Sequence, residues 1–301
     1  IPNGAGASIF IGFLIAALIN GNFSTETIGL LVAGLVLVVL GLIDELYDVP
    51  SKVQLLGQIV AAIIVIVAGV RVDVIGNFGN GNDGLFSLGW MSIPFTLIWI
   101  VGVTNAIRVL DGIDGLCAGV AGISAWTMGI VALMTGRPNP AMLSFILGAV
   151  AFAYLPYNFS KNKNRKIFMA ESGSSFLGFA LAVVAIMGSL KTAAAFSMLV
   201  PIIALIYPIF DIVFAFGRRI IAGKNPFKAD GMHLHHRLLG KGLSHRQAAC
   251  VFYAATLILG VLAICSTKMD GRSVVFVFIA TVAAFLFLLW KFKLISFSKN
   301  K

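Results

Sequence analysis

The chain has 301 residues, of which 59% are apolar and only 11% charged, and its mean hydropathy is +0.99. A soluble domain carries roughly a quarter charged residues, so this composition specifies an integral membrane protein and excludes disorder, collagen repeats and a disulfide-stapled secreted domain, the three cysteines (Cys117, Cys250, Cys265) sitting in or beside apolar runs. The excess of 22 Lys+Arg over 12 Asp+Glu then reads as cytoplasmic loops rather than as a nucleic-acid surface.

A spanning helix needs about 20 apolar residues. Breaks at charged and Gly/Pro/Asn-rich stretches predict ten spans, near 7–20, 28–43, 53–70, 93–107, 116–134, 141–157, 174–190, 194–216, 248–266 and 272–291. The expected fold is an all-α, sheet-free bundle of about ten transmembrane helices forming a single polytopic domain over 1–301. Neither a repeat nor a signal peptide is visible, and the terminal lysines (Lys291, Lys293, Lys299, Lys301) form a juxtamembrane basic end. Placing the Asp44 loop inside and alternating from there puts 17 basic residues inside against five outside (Arg71, Arg137, Lys191, Lys268, Arg272). That bias fixes the orientation. It also gathers Asp44, Glu45, Asp48, Asp111, Asp114, Glu171, Asp211, Asp230 and all four histidines on one face.

Four inner segments carry the candidate chemistry. In GLIDELYDVPSKVQLLGQ (41–58), Asp44, Glu45 and Asp48 end one span and Lys52 begins the next. Charged residues commonly flank membrane helices, but neighbouring carboxylates repel unless a cation or proton relieves them, and a divalent metal is the obvious relief. In TNAIRVLDGIDGL (104–116), Asp111 and Asp114 are three apart and share a face if helical. Gly112 and Gly115 allow close approach of backbone or ligand; the simpler alternative is a turn with a helix cap.

In KNRKIFMAESGSSFLGF (163–179), Glu171 precedes Ser172, Gly173, Ser174 and Ser175 at a helix start. Such a start offers N–H groups and the positive dipole end to a phosphate, beside Lys161, Lys163, Arg165 and Lys166; an N-cap with a well-placed acid is the plain alternative. In RRIIAGKNPFKADGMHLHHRLLGKGLSHRQA (218–248), His233, His235 and His236 lack the spacing of a structural zinc site. With Arg218, Arg219, Lys224, Lys228 and Arg237 they suit a diphosphate, while a solvated basic loop is the alternative. Carboxylates with phosphate oxygens are typical of Mg²⁺, and phosphoryl transfer is the reaction class that uses such parts.

All four segments, in this order and over essentially the whole chain, resemble the polyprenyl-phosphate N-acetylhexosamine 1-phosphate transferases of the glycosyltransferase family 4 type. HLHHRLLGKGLSHRQA (233–248) is similar to the branch of bacterial undecaprenyl-phosphate GlcNAc-1-phosphate transferases that serve teichoic acid, enterobacterial antigen and O-antigen (lipopolysaccharide) synthesis. The resemblance implies Mg²⁺-dependent (or Mn²⁺-dependent) transfer of a sugar 1-phosphate from a UDP-N-acetylhexosamine to polyprenyl phosphate, with release of UMP. The implied setting is the bacterial cytoplasmic membrane with the site facing the cytoplasm. Membrane lipid is then a partner, a homodimer a candidate assembly, and nucleic acid no partner.

Residue by residue, the resemblance implies Asp44, Glu45, Asp111 and Asp114 as catalytic acids, and Asp44, Asp114 and Glu171 as the metal set. It implies Lys52, Asn105, Lys166, His233, His235, His236 and Arg237 as substrate-binding. Members usually have about eleven spans, and IPNGAGA (1–7) resembles the loop after their first, so a further helix is expected to precede Ile1. Four positions depart from the family pattern: its Asp-Asp pair is Asp44-Glu45, its Met-Gly-Asp is Met169-Ala170-Glu171, its Asn-Ala-x-Asn ends in Arg108, and the Arg before its His motif is Gly231. Arg108 puts a permanent cation near Asp111, where it could occupy the place of a metal or lipid phosphate. A relative that binds lipid phosphate or nucleotide-sugar without turnover is the alternative function. A transporter fits poorly, since its acids would lie at the midplane.

Overall fold

The computed structural model describes residues 4–76, 85–162, 164–189, 199–221, 223 and 234–291. Chain order gives α1 (Ala5–Asn20), α2 (Thr25–Tyr47), α3 (Ser51–Val67), the strands β1 (Val74–Gly76) and β2 (Leu85–Ser87), α4 (Ser92–Arg108), α5 (Leu116–Met134) and α6 (Pro138–Asn158). There follow α7 (Ala170–Ser189), α8 (Leu199–Ala204), α9 (Ile206–Ile221), α10 (Leu234–Leu239), α11 (His245–Ser266) and α12 (Gly271–Lys291). Among the described residues α2, α4 together with the 3₁₀ turn Gly89–Met91 that leads into it, α5, α6, α7, α11 and α12 are long and apolar enough to cross a bilayer, and α1 and α3 are shorter apolar helices. The protein is an all-α polytopic membrane protein, and nine of the ten expected spans each fall on one helix.

Two expectations need correction. The bundle is not sheet-free, because β1 and β2 pair antiparallel with Val74 opposite Ser87; they join α3 to α4 at the end away from the acids. The expected span 194–216 is broken at Leu205, six residues into its described part. Proline at 208 cannot donate to the carbonyl of Ala204 and its ring crowds that carbonyl, so α8 stops at Ala204 and α9 restarts at Ile206, running on to Ile221.

Helix boundaries follow local chemistry. Ser24 caps α2 by accepting from the Thr27 N–H, Pro138 opens α6 where its missing N–H is no loss, and Ser244 with Gln247 makes a capping box on α11. The centre of the bundle is α7, which packs against α1, α2, α4, α5 and α6. Its residues Phe176, Leu177 and Phe179 through Ile186 are almost wholly inaccessible, as expected of a helix apolar on every side. Phe176 meets Phe10 and Phe13 edge-on at 5.2 and 5.4 Å, so Phe176 and Phe179 are packing residues rather than lipid-facing ones.

Small residues let α1 and α2 approach the start of α7 closely, the usual device where lipid leaves no hydrophobic drive between helices. A Cβ on Gly6 would strike Ser172 and Gly173, and one on Gly41 would strike the Ser172 backbone. These contacts bring the end of α2 onto the first turn of α7 and so position the site.

Candidate active site

The end of α2 and the start of α7 dispose of the Asp44-Glu45 pair. Asp44 Oδ1 accepts from the Val49 N–H at 2.7 Å, in the turn that Asp48 makes with a φ of 53°. Glu45 Oε1 accepts from the Ser172 hydroxyl at 2.6 Å and the Ser172 N–H at 3.2 Å. The protein's own Glu45 therefore occupies the anion position at the start of α7, where a carboxylate is favoured by free N–H groups and the helix dipole. This corrects the reading of residues 172–175 as an open phosphate cradle. Ser172, Ser174 and Ser175 are buried, and Ser174 donates back to the Ala170 carbonyl.

Ala170 enters α7 with a φ of 55°, a left-handed conformation that costs a residue with a Cβ roughly 1–2 kcal/mol. Ala170→Gly is accordingly expected to stabilise the protein by about 1 kcal/mol, raising the unfolding midpoint in detergent by roughly 2 °C. A lowered midpoint would contradict the strain.

Beside this contact, α3, α4 and α7 converge on Arg108. Its Nη2 donates to Glu171 Oε1 at 2.8 Å and to Gln54 Oε1 at 2.6 Å. Its Nε lies 2.6 Å from Glu171 Oε2, an ion contact in which the N–H is not aimed as a hydrogen bond. Nη1 reaches Asn105 Oδ1 at 3.3 Å, and Asn105 is fixed in turn by donating to Gln58 Oε1 at 2.6 Å and the Val101 carbonyl at 2.8 Å. Asp44, Gln54, Gln58, Arg108 and Glu171 line a small open cleft whose other wall is Leu37 and Leu40 of α2. The cleft is polar on one side and apolar on the other.

The third part is the turn between α4 and α5, which carries Asp111 and Asp114. It is pinned at Gly115, whose N–H donates to Asn158 Oδ1 and whose carbonyl accepts from the Tyr253 hydroxyl. Gly115 has a φ of 76°, and a Cβ there would collide with the Phe159 ring, so only glycine fits. Asn158 and the Tyr154 hydroxyl also donate to the Ile167 carbonyl, drawing the segment that carries Lys166 against the turn. Lys166 Nζ meets Asp114 Oδ2 at 2.6 Å and lies over the Phe168 ring. Asp111 keeps an open edge, yet protein atoms crowd its carboxyl. That desolvation first, then the charges on Glu171 and Asp114, push its pKa up to about 8.

The structure thus brings Asp44, Arg108 and Glu171 around one cleft, with Asn105 behind Arg108 and Gln58, and sets Asp111 and Asp114 on the adjoining turn with Lys166 drawn against it. Lys52 is exposed in the first turn of α3. His235, His236 and Arg237 lie on α10, of which only the backbone is described for the two histidines; His233, Lys163, Lys224, Lys228 and Asp230 lie outside the described residues. Gln54 and Gln58 escaped the sequence reading. Their signal was present, since two amides four apart share a face of an otherwise apolar helix.

Asp44, Asp114 and Glu171 are not gathered into one cluster. Among the described residues no three acid, histidine or cysteine side chains come together to hold a metal ion, and each of these acids already has a partner: Val49 N–H, Lys166 and Arg108 respectively. A three-carboxylate cage therefore does not fit. A Mg²⁺ ion bound through one or two carboxylates, several waters and substrate phosphate does fit Asp111 and Asp114, hard oxygen donors three residues apart on one turn, where the charges of Glu171 and Asp114 act on Asp111.

The family model for glycosyl transferase family 4 matches residues 27–189, a span running from α2 to the end of α7. The chain is 39% identical over 267 residues to the probable undecaprenyl-phosphate N-acetylglucosaminyl 1-phosphate transferase of Bacillus subtilis, covering 88% of this chain and 73% of that protein. The chain belongs to glycosyl transferase family 4.

Further family 4 relatives include the decaprenyl-phosphate N-acetylglucosaminephosphotransferase of Mycobacterium leprae, 33% identical over 82% of this chain and 66% of the relative. The undecaprenyl-phosphate alpha-N-acetylglucosaminyl 1-phosphate transferase of Yersinia pestis is 28% identical over 89% of this chain and 74% of its own length. The chain thus spans about two thirds to three quarters of these relatives. The matched family 4 region contains every residue of the cleft and of the Asp111–Asp114 turn.

Proposed function

We propose that the protein transfers N-acetylglucosamine 1-phosphate from a UDP-sugar to polyprenyl phosphate, releasing UMP, as the first membrane step of cell-envelope glycopolymer synthesis. The observation that carries this reading is the cleft and turn at one end of the helices, where five acids (Asp44, Glu45, Asp111, Asp114, Glu171) and the cations Arg108 and Lys166 gather beside the apolar residues Leu37 and Leu40 of the cleft. Such a boundary suits a reaction between a water-soluble diphosphate and a lipid-borne phosphate. The positive-inside bias of the loops supports a cytoplasmic membrane location with this end facing the cytoplasm, where nucleotide-sugars are made.

The chemistry follows from charge and position. An oxygen of the lipid phosphate attacks the phosphorus attached to the sugar, a new P–O bond forms, and the P–O bond to the UMP phosphate breaks with that electron pair leaving on UMP. The incoming phosphate is already a nucleophile, so the site must align it and relieve repulsion between anions. Lys166 and Arg108 supply fixed positive charge, each held in place by a carboxylate, and Lys52, exposed in the first turn of α3, is available to a further phosphate. Leu37 and Leu40 form an apolar wall suited to the first isoprene units. The Asp111–Asp114 turn, locked through Gly115, would hold Mg²⁺, which when bound neutralises charge on the bridging phosphates. The basic segment from Arg218 to Arg237 serves the nucleotide-sugar.

The test is UMP release from UDP-GlcNAc by purified protein in detergent. The expected result is release that requires polyprenyl phosphate and stops with a chelator. Release without the lipid, or none at all beside an active relative, would overturn the reading; the latter would favour a chain that binds without turnover.

A further inference from the structure

One acid of the bundle takes no part in the cleft. Asp211 lies in the middle of α9, a helix otherwise apolar up to Arg218, and only 2% of it is accessible. An acid in such a helix is costly and needs a compensating role. The structure gives it one: Asp211 Oδ1 accepts from the backbone N–H of Leu234 at 3.0 Å. Leu234 is the first residue of α10 and is itself buried in the core, and Leu238 and Leu239 one turn later pack against the same core. Tyr207, on the same face of α9 one turn before Asp211, stacks on Phe252 of α11 at 4.3 Å. The carboxylate thus sits on a helix already clamped to its neighbour.

The geometry points to Asp211 as a positioning residue that ties the start of α10 to α9 and so fixes the backbone carrying His235, His236 and Arg237. An unpaired N–H at the start of a short helix is an orphan donor, and a carboxylate is a strong acceptor for it. A helix of six residues has little stability of its own, so its place depends on such a tie and on its leucines. The functional part of the inference rests on the proposed role of this segment in holding the nucleotide-sugar.

The experiment compares the full chain with Asp211→Ala and Asp211→Asn in detergent. Two quantities are read: hydrogen exchange of the peptide covering 234–239, and KM against kcat for UDP-GlcNAc. Asp211→Ala is expected to speed exchange of the Leu234 amide at least tenfold and raise KM about tenfold with kcat within threefold. Asp211→Asn, which keeps an acceptor oxygen, restores most of both. Unchanged exchange in Asp211→Ala overturns the tie, and faster exchange with an unchanged KM overturns the positioning role. If Asp211→Ala does not accumulate, the asparagine variant decides: near-normal KM supports the inference and a tenfold rise overturns it. A wild-type chain that releases no UMP sinks the transfer reading instead, and exchange alone then supports or overturns the tie.

Discussion

Replacement of Asp114 by alanine is expected to lower UMP release by on the order of a thousandfold while the protein still inserts and unfolds near its normal temperature. Asp114 lies on a turn outside the packed helices, with about a quarter of its side chain exposed. No apolar contact depends on it, so the cost falls on chemistry. The variant removes a carboxylate of the proposed ion site and also strands Lys166, whose ammonium lies 2.6 Å away and loses the group that aims it. Lys166→Ala should cost less, about a hundredfold, because one fixed charge is lost and the acids remain. Turnover of Asp114→Ala within threefold of the parent would remove the turn from the reaction.

The second large effect concerns Arg108 and Glu171, which act as a unit. Arg108→Ala is expected to reduce turnover about a hundredfold, because Glu171 loses both contacts and the cleft loses its fixed cation. Glu171→Ala should be similar, since the guanidinium is then held by Gln54 and Asn105 alone. The double variant should lose far less than the product of the two, a coupling of about 2 kcal/mol, or roughly thirtyfold. Arg108→Lys should not rescue, because an ammonium cannot meet Gln54 and both oxygens of Glu171 at once. The effect on folding should be modest, about 1 kcal/mol, since Glu171 is more than a third exposed and solvent screens the pair. Additive losses would mean that the two residues act separately.

This pairing gives physical sense to two departures from the family pattern at once. A carboxylate longer by one methylene and a long cation in place of an amide meet across α4 and α7, each making room for the other. In the sequence they are 63 residues apart, and nothing local couples them. Arg108 alone could be read as a cation near Asp111; that it embraces Glu171 depends on how α4 crosses α7, where Gly178 lies close against the backbone of Thr104.

Hydropathy was enough to place the helices, because each apolar run is bounded by charge, glycine or proline. It missed the interruption before α9, where Pro208 falls inside an apolar stretch and breaks the ladder without changing composition. It also missed the β1–β2 hairpin, which lies in a connection too polar to carry a span signal. At the site, residue types were legible and partners were not. Asp44 and Glu45 read as a repelling pair in want of a cation, yet backbone N–H groups of Val49 and Ser172 meet them, and the second of those donors arrives only through the close contact at Gly41. The Gly/Ser run after Glu171 is ambiguous by nature, since small residues serve anion binding and helix packing equally well. Here the protein fills both roles itself, Ser172 donating to Glu45 and Gly173 lying against Gly6.

The central claim is that the phosphate moves with the sugar, and a donor labelled in the phosphate adjoining the sugar tests it most directly. UDP-GlcNAc carrying that label, incubated with the protein and polyprenyl phosphate in detergent, is expected to pass the label into the organic-extractable lipid while unlabelled UMP appears in the aqueous phase. Sugar in the lipid with the label left behind in UDP would mean that the bond broken is the glycosidic one, and would contradict the account.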